Sequence, residues 1–111
     1  MMKKRIPKNI QLILGEVKKR LKNIYGAKLK DIILYGSYAR GDFTEESDID
    51  IIILLENMED ISTERDRFFN DIWELDLKND ILISIIPFKK DEFELRRLPL
   101  ILNVKKEGIL V

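Results

Sequence analysis

The sequence predicts an α+β domain, an α/β sandwich in which a small mixed sheet of three to four strands packs against helices. Three observations predict it. At 111 residues the chain has room for one hydrophobic core and not for a second, so residues 1–111 read as a single domain. Apolar residues recur at helical three- and four-residue steps in some stretches and form short β-branched runs in others. The order of those stretches is helix, strand, strand, helix, strand, helix, which suits a sheet with helices laid against it.

Each element has its own signal. Ile10, Ile13, Leu14, Val17, Leu21 and Ile24 form one apolar stripe on a helix from about Pro7 to Tyr25. Pro7 suits the first turn and Gly26 the stop. "KDIILYG" reads as a buried strand ended by Gly36, and "SYARGDFTEES" as a loop with at most one helical turn. "DIDIIILL", residues 48–55, is a second strand; beyond Asp50 both of its faces are apolar, so the sheet is covered on more than one side there. Ser62 is the expected N-cap of a helix to about Lys78, with Phe68, Phe69, Ile72, Trp73 and Leu75 as its buried side. "NDILISIIP" is a third strand halted by Pro87. Asp91 and Glu94 resemble a capping box for a last helix that Pro99 must bend or divide, before a short apolar tail.

Composition excludes whole classes of chemistry. With no cysteine and no histidine there are no disulfides, thiolate nucleophiles, imidazole bases or Ser/His triads, and the usual zinc ligands are missing. Carboxylates, hydroxyls, amines and guanidinium groups remain. Twenty basic and twenty acidic residues cancel, so no net field draws in nucleic acid or an anionic membrane, and any phosphate binding has to be local. The start "MMKKRIPKNIQLILGEV" is interrupted by Gln11 and Glu16 and shows no small-residue cleavage site, and no run is long enough to span a bilayer. The expectation is a soluble, cytoplasmic protein.

One stretch concentrates the chemistry. Asp48 and Asp50 stand at the mouth of an apolar strand, where a strand's alternation points both to one face with Cα atoms about 6.6 Å apart. Two carboxylates at that spacing repel unless a cation lies between them, and hard oxygen ligands select Mg²⁺ or Mn²⁺. Gly36 lets the backbone approach a ligand closely, and Ser37 with the following amides can donate to an anion. Arg40, in the same loop, could add a charge-assisted contact. Clamping two metals about 3.5–4 Å apart takes a third carboxylate. Asp80, opening the third strand, is the first candidate for that place or for the base; Asp76, one turn earlier, is its rival.

Gly36-Ser37, ten intervening residues, and Asp48-Ile49-Asp50 at the head of an apolar strand resemble the GS-x10-DxD signature of the DNA polymerase beta-like nucleotidyltransferases. The length and the layout through "NVKKEGILV" resemble the minimal nucleotidyltransferase (MNT) branch, over nearly the whole chain. The resemblance implies a nucleotidyltransferase-like fold and transfer of a nucleoside monophosphate, AMP from ATP, to a hydroxyl. It implies that Gly36 and Ser37 hold the triphosphate, that Asp48 and Asp50 ligate two Mg²⁺ ions, and that Asp80 is the third carboxylate. Many members of that branch resemble antitoxins paired with HEPN-domain toxins, some of which they modify on tyrosine. A HEPN-type protein is therefore the implied partner, in a homo- or hetero-oligomer.

Other functions stay open at this stage. The chain could neutralise a partner by covering it, or it could serve a small-molecule hydroxyl or an RNA end, although neutral charge makes RNA less attractive. "IIPFKKDEFELRRLPLIL" is the expected partner surface on composition.

Overall fold

The structure, a computed structural model, describes residues 6–111. Residues 1–5, on which the expectation of no leader peptide partly rests, lie outside the described residues. The first helix, α1 (Lys8–Tyr25), buries Ile10, Ile13, Leu14, Val17 and Leu21 as the stripe predicts. Gly26, at φ 56°, turns the chain out of the helix, and a short 3-10 turn leads into β1 (Leu29–Tyr35). There follow α2 (Ser37–Arg40), β2 (Ile49–Leu55), α3 (Ile61–Asn79), β3 (Ile83–Lys89), α4 (Lys90–Leu95), α5 (Pro99–Glu107) and β4 (Ile109–Leu110).

Several boundaries differ from the sequence expectation, each for a local reason. Asp60, not Ser62, caps α3: its backbone is extended and its carboxylate accepts the Thr63 N–H at 2.8 Å. β2 begins at Ile49, so Asp48 lies just outside it. Pro87 does not halt β3, which runs on to Lys89; β3 is an edge strand, where a missing N–H is tolerated. The Asp91 box does not form, since Lys89 caps α4 without a side-chain bond. Pro99 does divide the last helical stretch, as the first residue of α5.

The four strands lie in the order β3-β2-β1-β4. β1 is antiparallel to both β2 and β4, and β2 is parallel to β3, with α3 as the crossover. One face carries α1 and α3 over Ile32, Leu34, Ile49, Ile51, Ile53 and Leu55. Arg20 on α1 ties these helices together through Asp71 at 2.9 Å and Glu74 at 2.7 Å. The other face is covered by Phe93 of α4 and Ile101 and Val104 of α5, packed on Ile52 and Leu54. Two covered faces explain why every residue from Ile51 to Leu55 is buried. The α4–α5 layer is the smaller, and at the start of β2 Asp48 is exposed and Asp50 only half-buried.

Among the described residues no helix is long and apolar enough to cross a membrane. The aromatic expectation for α3 is corrected in part. Phe68 is buried, whereas Phe69 and Trp73 are 59% and 51% exposed and stack on each other, with centroids 6.2 Å apart. They line an apolar groove with Leu82 and Ser84. Leu95, Leu98 and Leu102, within the expected partner surface, are also exposed.

Candidate active site

The site is built where β1 ends and β2 begins. Tyr35, the last residue of β1, faces Asp50 across the antiparallel ladder. Gly36 follows at φ 76°, ψ −155°, a conformation that side chains rarely permit. A Cβ there would run into Oδ2 of Asp50 and come within 3.2 Å of its Cγ. Gly36 therefore serves two needs: it makes the turn and it lets the backbone lie against the carboxylate.

The ten-residue gap between Ser37 and Asp48 is filled with structure. Gly36 O accepts the N–H groups of Ala39 and Arg40, which winds the single turn of α2. Ser37 is the first residue of that turn, where backbone N–H groups have no intrahelical acceptor. Gly41, in the left-handed region at φ 91°, ends it. Tyr38 then stacks on Phe43 at 4.9 Å. Thr44 N–H donates to Ser47 Oγ at 2.8 Å, and Ser47 N–H to Thr44 O at 3.1 Å, which swings the chain back into β2.

Asp48 is exposed and Asp50 half-buried. Burial, then the charge of Asp48, raises the Asp50 carboxyl above the ordinary range, while Arg40 pulls it down. Burial and the neighbouring charge of Asp50 raise the Tyr35 phenol in turn. A half-buried carboxyl raised by burial and by a neighbouring carboxylate is placed to receive positive charge. Arg40 is near enough to ease Asp50, but its guanidinium is ion-paired with Asp42 at 3.2 Å and Glu107 at 3.6 Å.

The position expected for Asp80 is corrected. Asp80 does not open the third strand. It is the C-cap of α3, held in the left-handed region at φ 50° with its N–H on Asp76 O, and β3 starts only at Ile83. Its surroundings are a cavity of about 450 Å³ shared with Ile10, Ile13 and Tyr38, on the α1 side of the sheet. The rival, Asp76, accepts the Ile83 N–H at 3.0 Å and so anchors the start of β3. The residue beside Asp50 in the parallel register is Ser84. Among the described residues, no group of three carboxylates is placed to share a metal. Asp48 and Asp50 are the acidic pair that could hold a hard divalent ion, its other positions open to water and phosphate.

Tyr35 and Ser84 were not singled out from sequence. Asp50's neighbours follow from register, and only the pairing of strands supplies that. A period-two count back from Pro87 would have placed Ser84 on the face of one carboxylate strand or the other, but not beside Asp50.

Comparison with known proteins gives the family and the fold. The nucleotidyltransferase domain family matches residues 14–111. A relative from Methanocaldococcus jannaschii, named putative protein adenylyltransferase MJ0141, is 45% identical over 78 residues, which is 70% of this chain and 78% of that one. Another of that name and organism, MJ0604, is 54% identical over 46 residues, 41% of this chain and 46% of its own length. Among solved structures, a toxin-antitoxin with AMP-PNP superimposes with a TM-score of 0.63 at 23% identity, covering 86% of this chain and 69% of that one. A tri-AMPylated Shewanella oneidensis HEPN toxin in complex with an MNT antitoxin gives 0.55 at 24% identity, covering 90% and 69%. At such identities the likeness shows the fold. The family match over residues 14–111 and the close archaeal relative show the rest: this chain belongs to the nucleotidyltransferase domain family and is a nucleotidyltransferase.

Proposed function

We propose that the chain transfers AMP from ATP to a tyrosine hydroxyl of a HEPN-type toxin partner, and that it acts in the cytoplasm as that toxin's antitoxin. The observation that carries the chemistry is the packing of Gly36 against the Asp50 carboxylate, which brings an anion-binding turn and a pair of acidic ligands to one place. The names of the archaeal relatives support protein adenylylation, and the neighbouring toxin-antitoxin structures support the partner.

In this reading the triphosphate lies over the Gly36–Ser37 turn, where the Ser37 hydroxyl and the first-turn amides of α2 donate to phosphate oxygens. Asp48 and Asp50 would hold Mg²⁺ or Mn²⁺, which when bound offsets charge on the phosphates and the departing pyrophosphate. The acceptor oxygen attacks the α-phosphorus in line. Its new O–P bond forms as the bond from that phosphorus to the α,β-bridging oxygen breaks, and the products are AMP-acceptor, pyrophosphate and a proton. Arg40 can turn to the phosphates only by leaving Asp42 and Glu107.

The test is mass spectrometry of a HEPN-type partner incubated with this chain, ATP and Mg²⁺, beside an Asp48→Asn/Asp50→Asn control. The expected result is an AMP-sized adduct on tyrosine that is absent from the control. A stable complex with no adduct would overturn catalysis and leave neutralisation by binding.

A further inference from the structure

We propose that the site takes one divalent cation, at Asp48 and Asp50, and that Ser84 stands where a third carboxylate would be needed to hold a second. The inference rests on the reading of Asp48 and Asp50 as a nucleotide-metal pair.

The register carries it. β2 and β3 run parallel, with Ile49 beside Ile83, Asp50 beside Ser84 and Ile51 beside Ile85. Ile83 and Ile85 join Ile49 and Ile51 in the core under α1, while Ile86 and Phe88 join Ile52 and Leu54 under α5. Ser84 therefore shares the face of Asp50, one strand spacing of about 4.8 Å away. No other side chain of β3 is so placed, and the side chain present is a neutral hydroxyl.

The acidic residues nearby are committed elsewhere. Asp76 accepts the Ile83 N–H, Asp42 and Glu107 pair with Arg40, and Asp31 pairs with Lys90 at 3.6 Å. Asp80 belongs to the cavity on the opposite side of the sheet. On the other flank of Asp50 stands Tyr35, a phenol. Two ions held 3.5–4 Å apart need ligands for both, beyond the carboxylates they share. The donor set of the described residues does not provide them.

The acceptor side has a matching consequence. An ionised carboxylate at position 84 could take the acceptor's proton, but a serine hydroxyl is no base at neutral pH. Transfer then favours hydroxyls that shed their proton readily, such as a phenol with a pKa of about 10, over aliphatic alcohols.

Counting Mn²⁺ by electron paramagnetic resonance, with a non-hydrolysable ATP analogue saturating the full chain, tests the proposal without turnover. One bound ion per chain with the spectrum of an isolated Mn²⁺ is expected, and two ions with an exchange-coupled spectrum in Ser84→Asp. Two coupled ions in the unaltered chain would overturn this inference and leave the proposed function standing. No bound ion would overturn both. A Ser84→Asp chain that is folded by circular dichroism and still binds one ion would overturn the assignment of position 84; the count on the unaltered chain does not depend on that variant folding.

Discussion

Gly36 lies so close to Asp50 that a methyl group at position 36 would overlap the carboxylate. The glycine is held at φ 76° as well, so a side chain at position 36 would meet backbone strain and would also have to displace the Asp50 carboxylate. Gly36→Ala should lower stability by about 2–3 kcal/mol, from backbone strain and overpacking together. Urea denaturation checks the loss. Made in an Asp50→Gly background, Gly36→Ala should cost only the strain, a smaller loss than in the unaltered chain.

The Asp50 carboxyl sits above its ordinary value of 3.8 through burial and the charge of Asp48. A group whose folded pKa exceeds its unfolded one contributes stability below the unfolded value and loses it as pH rises through the folded value. Ionised Asp50 thus works against folding at neutral pH. Asp50→Asn should raise Tm at pH 7 and match the unaltered chain near pH 3, where both side chains are uncharged. A Tm difference that did not shrink on acidification would mean that the carboxyl is not strained in this way.

Far from the site, Glu64 is 3% exposed and fully used. It accepts from Tyr25 Oη at 3.0 Å and from the Glu59 N–H at 3.1 Å, and it pairs with Arg67 at 3.3 Å. Glu64→Ala leaves those donors behind and should cost about 2–4 kcal/mol. Tyr25→Phe removes one bond and should cost about 1 kcal/mol. Nucleotide binding per folded molecule should be unchanged in both, as read by calorimetric titration with an ATP analogue.

Exposure separates the aromatic residues of α3. Phe68→Ala empties a packed position and should cost about 3–5 kcal/mol. Trp73→Ala removes a half-exposed ring and should cost about 1 kcal/mol or less. Equal losses by chemical denaturation would place Trp73 in the core.

The sequence made the helices and strands legible because burial leaves a period: the stripe from Ile10 to Leu21 and the unbroken run from Ile51 to Leu55 each state how many sides are covered. Gly36, Ser37, Asp48 and Asp50 were legible because they sit in one local segment, with a glycine that only a turn and a close contact require. Asp80 was misplaced because a sequence does not say where a helix stops. "KND" could open a strand as well as close a helix, and the left-handed conformation of Asp80 decided for closing. Ser84 was not legible because its importance is a matter of register across a crossover. Phe69 and Trp73 misled because large aromatic residues at helical spacing usually mark a core.

The parallel pairing that puts Ser84 beside Asp50 also gives the two walls of the site different histories during folding. Gly36, Ser37, Asp48 and Asp50 all lie within residues 29–55, where β1 and β2 pair antiparallel across residues 36–48, a shorter connection than the one that carries α3. Ser84 arrives only after the chain has closed around the whole of α3, a more distant contact and a slower one to make. Pulse-labelled hydrogen exchange during refolding should therefore protect the β1–β2 amides around residues 33 and 52 before those of 83–86. In a chain caught between the two events, the wall built from Gly36, Ser37 and Asp50 would be complete while the wall beside it was still missing.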